Sequence, residues 1–441
     1  MKKPNINYTV RNDICTGCGV CEGACPSGAI STVVKEGRFL PEVDESRCMN
    51  GKGCHRCMDA CPGVGVDLVG IAAKQFTDEG IKEDRLAGKF LKCYSGYCNE
   101  YEIRYHCASG GMVSGFLIFL LERGYIEGAV VTAFDPENEL LVRSYIARNR
   151  EEVLRGKSSK YAPVSLHRVA ADIKAAEGNR FVIVGLPCHI EGFRKLEALD
   201  RKFRDKIAGY FGIYCSSGRT FYLTEHVFRE NGIDKNKLTY FAYRDEGCLG
   251  SMVARQGDQK RGISNENSIA ETSFYKEEIV YKKRYQQYYH PLRSFFIPRR
   301  CLFCIDHYAE LADVCFGDIH VEPYIDDKIG VNSIVVRKQK WIDLLEEAKR
   351  DGWLTLDEIS VETLNSSQAM AYKKKGRNAR FIALNKRLGR VVPEYGGMEL
   401  PKFGKHDILN YAQNRFQQFL GRHKSLWWVV DLLKKDTSKL K

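Results

Sequence analysis

The sequence predicts a multidomain protein of mixed α+β and α/β class, and three observations predict it. The chain has 441 residues, enough for about three domains at ~150 residues each. Eight of its 17 cysteines lie between Cys15 and Cys61, in two copies of one spacing. Beyond a charged linker around Asp78 to Lys89, apolar runs of strand and helix type alternate. Hydrophobic residues make up 44% and charged residues 28%, which excludes a disordered chain. Met1 to Asn12 is polar, and no apolar run reaches the ~20 residues of a membrane span. The expectation is therefore a cytosolic (cytoplasmic) protein whose cysteines hold metal rather than a secreted disulfide scaffold.

The first element is a cysteine repeat. Cys15, Cys18, Cys21 and Cys25, closed by Pro26, fit C-x2-C-x2-C-x3-C-P. Cys48, Cys54, Cys57 and Cys61, closed by Pro62, repeat it with five residues between the first two cysteines instead of two. This is the bacterial ferredoxin run. Three closely spaced thiolates grip one face of a 4Fe–4S cube, and the fourth, turned away at proline, reaches the other cube. Cluster one should use Cys15, Cys18, Cys21 and Cys61, and cluster two Cys48, Cys54, Cys57 and Cys25. Zinc asks for separated pairs, which two runs of four do not match. Residues 1–75 are thus expected to form a bacterial-ferredoxin-like domain that passes single electrons.

The α/β region follows. Gly111 to Glu122 has an apolar helical pattern, Gly128 to Phe134 reads as a strand, and Leu166 to Ala176 as a helix. Phe181 to Gly185 and Ile207 to Tyr214 read as buried strands, followed at once by Cys188 and Cys215. Arg219 to Asn231 looks helical. If the two strands are parallel neighbours, both cysteines share the rim where open α/β sheets place ligands. Cys301 and Cys304 form a C-x2-C pair. Spacing alone leaves three readings of these four thiols open: a third iron–sulfur cluster, a structural zinc, or a chance pair beside two core cysteines. Cys93, Cys98, Cys107, Cys248 and Cys315 match no ligand template and read as small core hydrophobes, with Cys93 and Cys98 the pair to watch.

The last element is basic. Lys plus Arg is 68 against 56 Asp plus Glu, a net +12. From Ser366 onward there are 17 Lys/Arg against 5 Asp/Glu, so this stretch carries the whole excess. It contains the run Lys373 to Arg377 and an apolar stripe at helical spacing: Ile408, Ala412, Phe416, Phe419 and Leu420. Residues 346–441 are expected to form a helical extension whose terminal helix packs on the core and leaves a basic face in water. Other uses are binding an acidic coenzyme tail, docking a partner, or peripheral contact with the inner membrane face through Trp427 and Trp428. No nucleic-acid motif accompanies the charge, so no nucleic acid is expected.

Six motifs run in order from about Lys92 to Val336: Ser109 to Gly111, Ser158 to Tyr161, Gly185 to Cys188, Cys215 to Gly218, Cys301 to Cys304, and Ala309 to Asp313 followed by Phe316 to Asp318. In these the chain resembles the beta-subunit family of coenzyme F420-reducing hydrogenases and dehydrogenases, with a ferredoxin domain fused in front. The resemblance implies an α/β FAD- and iron–sulfur-binding catalytic region, divided into residues 90–172 and 173–345. It implies that Cys188, Cys215, Cys301 and Cys304 ligate a third 4Fe–4S cluster. It also implies that Ser109, Gly110, Gly111, Ser159, Lys160 and Tyr161 touch FAD. Gly110 and Gly111 leave room for backbone amides to close on a phosphate at a helix start, and Lys160 adds charge for a diphosphate. His189 stands where family members often carry Gln; it is the weak candidate for a proton-handling role, the alternative being a hydrogen-bonding replacement.

The activity implied is a flavin-dependent oxidoreductase. It exchanges hydride with coenzyme F420 or a similar two-electron carrier and passes single electrons through 4Fe–4S clusters to a redox partner. Two alternatives accompany it: a non-catalytic electron-transfer subunit, and a same-family reductase of another substrate in an organism without F420.

Overall fold

The computed structural model describes residues 4–135, 138–257, 278–292 and 294–434. Its centre is an eight-stranded mixed sheet. In spatial order the strands are Leu354–Ile359, Lys92–Cys98, Asn332–Val336, Val314–Asp318, Ile207–Ile213, Phe181–Gly185, Gly128–Asp135 and Asn138–Ala147. The four strands from Val314–Asp318 to Gly128–Asp135 are parallel, and the strands on either flank are antiparallel.

Strand periodicity sends successive residues to opposite faces, and here both faces are covered. Ile183, Tyr210, Cys315 and Val335 bury into one core, against Phe193 and Leu196 of helix Pro187–Glu197. Val182, Phe211, Phe316 and Ile334 bury into the other, against Phe116 of helix Met112–Glu122 and Trp341 of helix Gln339–Arg350. That double burial is why these strands read as unbroken apolar runs. The expected helix from Leu166 shrinks to Val169–Ala175, and the one from Arg219 to Tyr222–Glu230. Cys93, Cys98, Cys107 and Cys315 are buried core residues, and Cys248 is half-buried. Cys93 and Cys98 bury in different cores, as their odd spacing along one strand requires.

The divisions expected after residues 172 and 345 fall inside helices Val169–Ala175 and Gln339–Arg350. The last sheet strand, Leu354–Ile359, lies beyond the second division and pairs with Lys92–Cys98. The main sheet therefore draws its strands from both sides of each division, from residue 92 to residue 359. A second, three-stranded antiparallel sheet (Leu238–Asp245, Ser251–Gln256, Glu278–Arg284) and helix Tyr285–Leu292 branch from it.

The ferredoxin-like domain carries the hairpin Ile30–Lys35/Arg38–Val43 and short helices Val20–Ala24 and Arg56–Asp59. It is docked on the main body by cations that donate to its carbonyls. Lys195 reaches Cys61 O at 2.6 Å and Gly65 O at 3.0 Å, and Arg300 reaches Pro62 O at 2.8 Å and Gly63 O at 3.1 Å. The C-terminal stretch takes part as well, with Glu394–Tyr395 pairing in parallel with Gly65–Val66.

The terminal helix, Lys405–Arg422, forms as expected but turns the other way. Ile408, Ala412, Phe416 and Phe419 are exposed, while Tyr411, Gln418 and Leu420 are buried. The helix is oriented by inward polar and aromatic anchors. Tyr411 packs on Phe381 and Phe303, Asp407 accepts from Arg380 at 2.8 Å, and Arg422 pairs with Asp13. Trp427, expected at a surface with Trp428, is buried and donates to Gly421 O at 3.0 Å; Trp428 alone is exposed. No helix among the described residues is long and apolar enough to cross a membrane.

Candidate functional site

The ferredoxin cysteines gather in one place: Cys21, Cys57 and Cys61 share a buried cluster with Cys25 packed against it. Cys15, Cys18, Cys21 and Cys61 are buried. Burial, then Cys61 and Cys18 beside it, push the Cys15 thiol up to about 12. Burial and the nearby Cys61 push Cys18 up to about 11. Burial, then Cys18, Cys15, Cys61 and Cys57, raise Cys21 further. In the second set, burial chiefly pushes Cys57 up to about 11, with Cys25 and Cys54 as neighbours. Cys48 stands half-buried with Asn5 Nδ2 3.8 Å from its sulfur. Backbone amides aim at the sulfurs: Gly17 N–H at Cys15 (3.4 Å), Ala29 N–H at Cys25 (3.3 Å) and Gly63 N–H at Cys61 (3.2 Å). Thiols this crowded cannot all ionise unless a cation shares their charge, which is the chemistry of a metal-thiolate site.

The second centre is a cavity under the rim of the main sheet. Strands Phe181–Gly185 and Ile207–Ile213 are parallel neighbours, so the residues after them emerge side by side. Cys188 sits in the first turn of helix Pro187–Glu197, and Cys215 is the second residue after its strand. The 3-10 turn Arg299–Phe303 brings Cys301 and Cys304 to the same place. His307 clamps it there: its backbone carbonyl accepts from Cys215 N–H at 3.0 Å and its Nδ1 meets Cys215 O at 3.1 Å. Cys188, Cys215, Cys301 and Cys304 all line the cavity, and so does Cys15 of the ferredoxin domain. Burial, then the Cys18 and Cys215 thiols, hold Cys188 well above its ordinary value; burial pushes Cys215 up to about 12. The three cysteine sets are thus neighbours: Cys15 lines the inner cavity with Cys188, and Cys21 and Cys57 pack in one buried cluster.

Charged groups that no spacing argument finds surround this cavity. Lys374, inside the basic run expected on the surface, is buried. It donates to Cys304 Sγ at 3.2 Å and Asp306 O at 2.6 Å. Burial opposes its charge, but Cys304 and Cys215 outweigh that and raise its pKa. Glu191 is buried in the cavity wall, and its Oε1 has no hydrogen-bond partner among the described residues. Burial and Asp306 push its carboxyl up to about 7. His189 lines the same wall with both ring nitrogens engaged. Leu186 N–H donates to Nδ1 at 3.1 Å, so Nε2 carries the proton and donates to Val164 O at 3.2 Å. Burial lowers its pKa to about 4, so the ring is neutral.

The two loops assigned to FAD come together around Arg244. Its guanidinium donates to Ala108 O, its own carbonyl accepts from Ser158 Oγ, and it pairs with Asp318 at 2.9 Å. Ser109 is buried and donates to Val331 O at 2.9 Å. Gly111 has φ +72° where helix Met112–Glu122 begins. A Cβ on Gly110 would stand 2.8 Å from Gly96 O, so backbone packing already requires glycine there. Ser159 is half-buried beside Lys160. Lys160 turns onto its own loop, donating to Gly156 O at 2.7 Å and Lys157 O at 2.6 Å; burial and Lys157 push it down to about 7. Tyr161 packs 4.6 Å from Tyr289, which stacks on Tyr285 at 4.6 Å. Arg219 covers Tyr289 at 4.4 Å and lines the cysteine cavity, so the tyrosine cluster adjoins it.

Comparison with known proteins places this architecture. Residues 93–184 match the family model for the N-terminal part of the coenzyme F420 hydrogenase/dehydrogenase beta subunit, 178–362 that for its C terminus, and 14–66 a 4Fe-4S dicluster domain. A coenzyme F420-dependent sulfite reductase from Methanocaldococcus jannaschii is 26% identical over 391 residues, covering 85% of this chain and 52% of that protein. The chain therefore spans about half the length of that relative. The coenzyme F420 hydrogenase subunit beta of Methanosarcina barkeri is 22% identical over 318 residues, 70% of this chain and 96% of that one. A chain of the xenon-derivatised F420-reducing [NiFe] hydrogenase complex from Methanosarcina barkeri shares the fold. It has a TM-score of 0.52 and 18% identity, covering 73% of this chain and 99% of that one. With both halves and the dicluster domain matched in order, this chain belongs to the coenzyme F420 hydrogenase/dehydrogenase beta-subunit family and carries a 4Fe-4S domain at its front.

Proposed function

We propose that this chain is a flavin-dependent oxidoreductase that exchanges hydride with coenzyme F420, or a similar carrier, and passes single electrons out through three 4Fe–4S clusters. When bound, the flavin supplies two-electron chemistry and the iron–sulfur cubes supply one-electron steps, which together join a hydride carrier to a one-electron partner. The observation that carries the reading is the adjacency of the three cysteine sets: Cys15 lines the cavity under the sheet rim, and Cys21 packs with Cys57.

The chain's own residues divide the work. Cys188, Cys215, Cys301 and Cys304 hold the inner cube. Four thiols lining an open cavity suit a cube better than a single zinc ion, whose ~2.3 Å bonds draw its sulfurs together. Cys15, Cys18, Cys21 and Cys61 hold the second cube, and Cys25, Cys48, Cys54 and Cys57 the third. Of the two ferredoxin sets, the second is buried and three of the four cysteines of the third are half-buried, so of these two the third is the exit to a partner. Arg244 and the amides around Ser109 to Gly111 would hold the flavin diphosphate, with Lys160, turned onto Gly156 O and Lys157 O, fixing the second loop. Tyr161, Tyr285 and Tyr289 would shield the flavin side of the cysteine cavity from water. His189, neutral and doubly hydrogen-bonded, holds the Cys188 turn against Val164 rather than carrying protons.

The test is anaerobic purification with iron, sulfide and flavin counted, followed by the absorbance change of reduced F420 with a dye acceptor. Iron for three cubes, about one flavin and turnover are expected. Iron without flavin ends the reading. Flavin and iron without F420 turnover leave the same-family reductase of another substrate. Sulfite is the first acceptor to assay, given the activity named for the Methanocaldococcus relative.

A further inference from the structure

The C-terminal stretch beyond residue 362 lies outside the family match, yet it reaches the inner cysteine set. Residues Lys374–Asn378 form a π-helical turn between helices Ala369–Lys373 and Ala379–Arg387. Such single turns widen the helix locally and recur at functional sites. Here the turn aims two side chains at the C-x2-C segment together. Asn378 Nδ2 donates to Cys304 O at 2.8 Å and Cys301 O at 3.3 Å, fixing the backbone of both cysteines. Lys374 Nζ lies 3.2 Å from Cys304 Sγ and is fully enclosed, held also by Asp306 O. Its neighbour Lys375 goes elsewhere, pairing with Glu310 at 2.6 Å.

We propose that Lys374 is a positioning residue that sets the reduction potential of the inner cluster through its ammonium on the Cys304 sulfur. This rests on the assignment of a cube to Cys188, Cys215, Cys301 and Cys304. A cube that gains one electron becomes more negative, so a fixed, desolvated positive charge at its sulfur favours the reduced form. The effect is strong because the pair is buried and poorly screened. A raised potential makes the inner cube a willing acceptor beside a two-electron donor. The basic C-terminal stretch is thus partly internal machinery, not wholly a solvated face.

The experiment is an anaerobic redox titration of the full-length protein, followed by low-temperature electron paramagnetic resonance, with iron and sulfide counted on each sample. Lys374→Met should keep iron for three cubes and lower one cluster's midpoint by about tenfold in its one-electron equilibrium, about 59 mV. Lys374→Arg should largely restore it. Lys375→Met, which removes the same charge from the neighbouring position, should move it far less. An unchanged midpoint in Lys374→Met with full iron overturns the proposal. Iron for only two cubes in the unaltered protein instead overturns the cluster assignment itself, a distinct outcome. Should Lys374→Met lose iron, Lys374→Gln, which keeps a donor for Asp306 O, decides by the same midpoint.

Discussion

The ferredoxin domain and the inner cavity both gather thiols, but they are assembled in opposite ways. The ferredoxin sets come from 47 consecutive residues, Cys15 to Cys61, in loops and two short helices on either side of one hairpin. The inner set comes from three places as far apart as Cys188 and Cys304, and only the pairing of two parallel strands and the His307 clamp unite them. One site is local and depends on its ligands; the other is tertiary and depends on the sheet. Substitutions that loosen the main body should therefore damage the inner site first.

The largest effect separates the two by deleting a ligand from each. Cys304→Ser should remove about one cube of iron and drop dye reduction by reduced F420 to background, because the inner step joins flavin to exit. Cys57→Ser should remove the outer cube alone. Dye reduction by reduced F420 then persists, and transfer to a protein partner fails. Equal loss of dye reduction in both variants would break the proposed order of the three sites.

A smaller effect addresses the support of the inner site. Arg194 lies on the helix that starts with Cys188. It bonds Asp313 at 3.0 Å, Leu311 O at 3.0 Å and Gln75 at 3.1 Å, all in the interior. Arg194→Met should cost ~2–3 kcal/mol, because Asp313 and Glu197 lose a buried charged partner while Lys338 still holds Asp313 at 2.8 Å. Thermal unfolding should register this, and iron loss should come from the inner set before the ferredoxin sets. Burial alone would raise the Asp313 pKa; Arg194 and Lys338 outweigh it and hold the carboxyl below its ordinary 3.8. A depressed carboxyl stabilises the fold fully above the unfolded value, and that stability disappears as pH falls through the folded one. Arg194→Met should move acid unfolding to higher pH. An unmoved acid transition would mean that another carboxylate controls it.

Where the domains meet, Gly192 offers a gentler change. A Cβ there would stand 2.9 Å from Val20 Cγ2 and 3.4 Å from Pro62 Cδ. Gly192→Ala gains ~1 kcal/mol of helix propensity and loses ~1–3 kcal/mol to overpacking, so the net cost is at most ~2 kcal/mol. Its sharper signature is kinetic, because the contact joins the inner site to the first ferredoxin set. Electron transfer between them should slow in rapid-mixing measurements while iron content holds.

The contrast between local and tertiary sites also explains what the sequence could disclose. C-x2-C-x2-C-x3-C-P is legible because its cysteines are neighbours in the chain, and the structure gathers Cys21, Cys25, Cys57 and Cys61 in one cluster. Phe181 to Gly185 and Ile207 to Tyr214 were legible because strands buried on both faces are continuously apolar. Lys374 was not, since Lys373, Lys374 and Lys375 are chemically alike and only the π-helical turn selects which one faces inward. Arg244 and the tyrosine cluster were missed for a similar reason: they arise where the small sheet meets the main one, a contact without sequence periodicity.

The terminal helix marks the limit of pattern reading and gives the smallest expected effect. Its apolar stripe has helical spacing, yet Phe416 and Phe419 remain about half-exposed because Tyr411, Asp407 and Arg422 orient the helix instead. Hydrophobic area that stays in water contributes nothing to folding when replaced, and surface substitutions normally stay within ~0.5 kcal/mol. Phe416→Ser with Phe419→Ser should therefore leave the melting temperature within ~2 °C of the parent. A drop well beyond that would show these rings buried, returning the helix to the face its periodicity suggests and removing Tyr411 as its anchor.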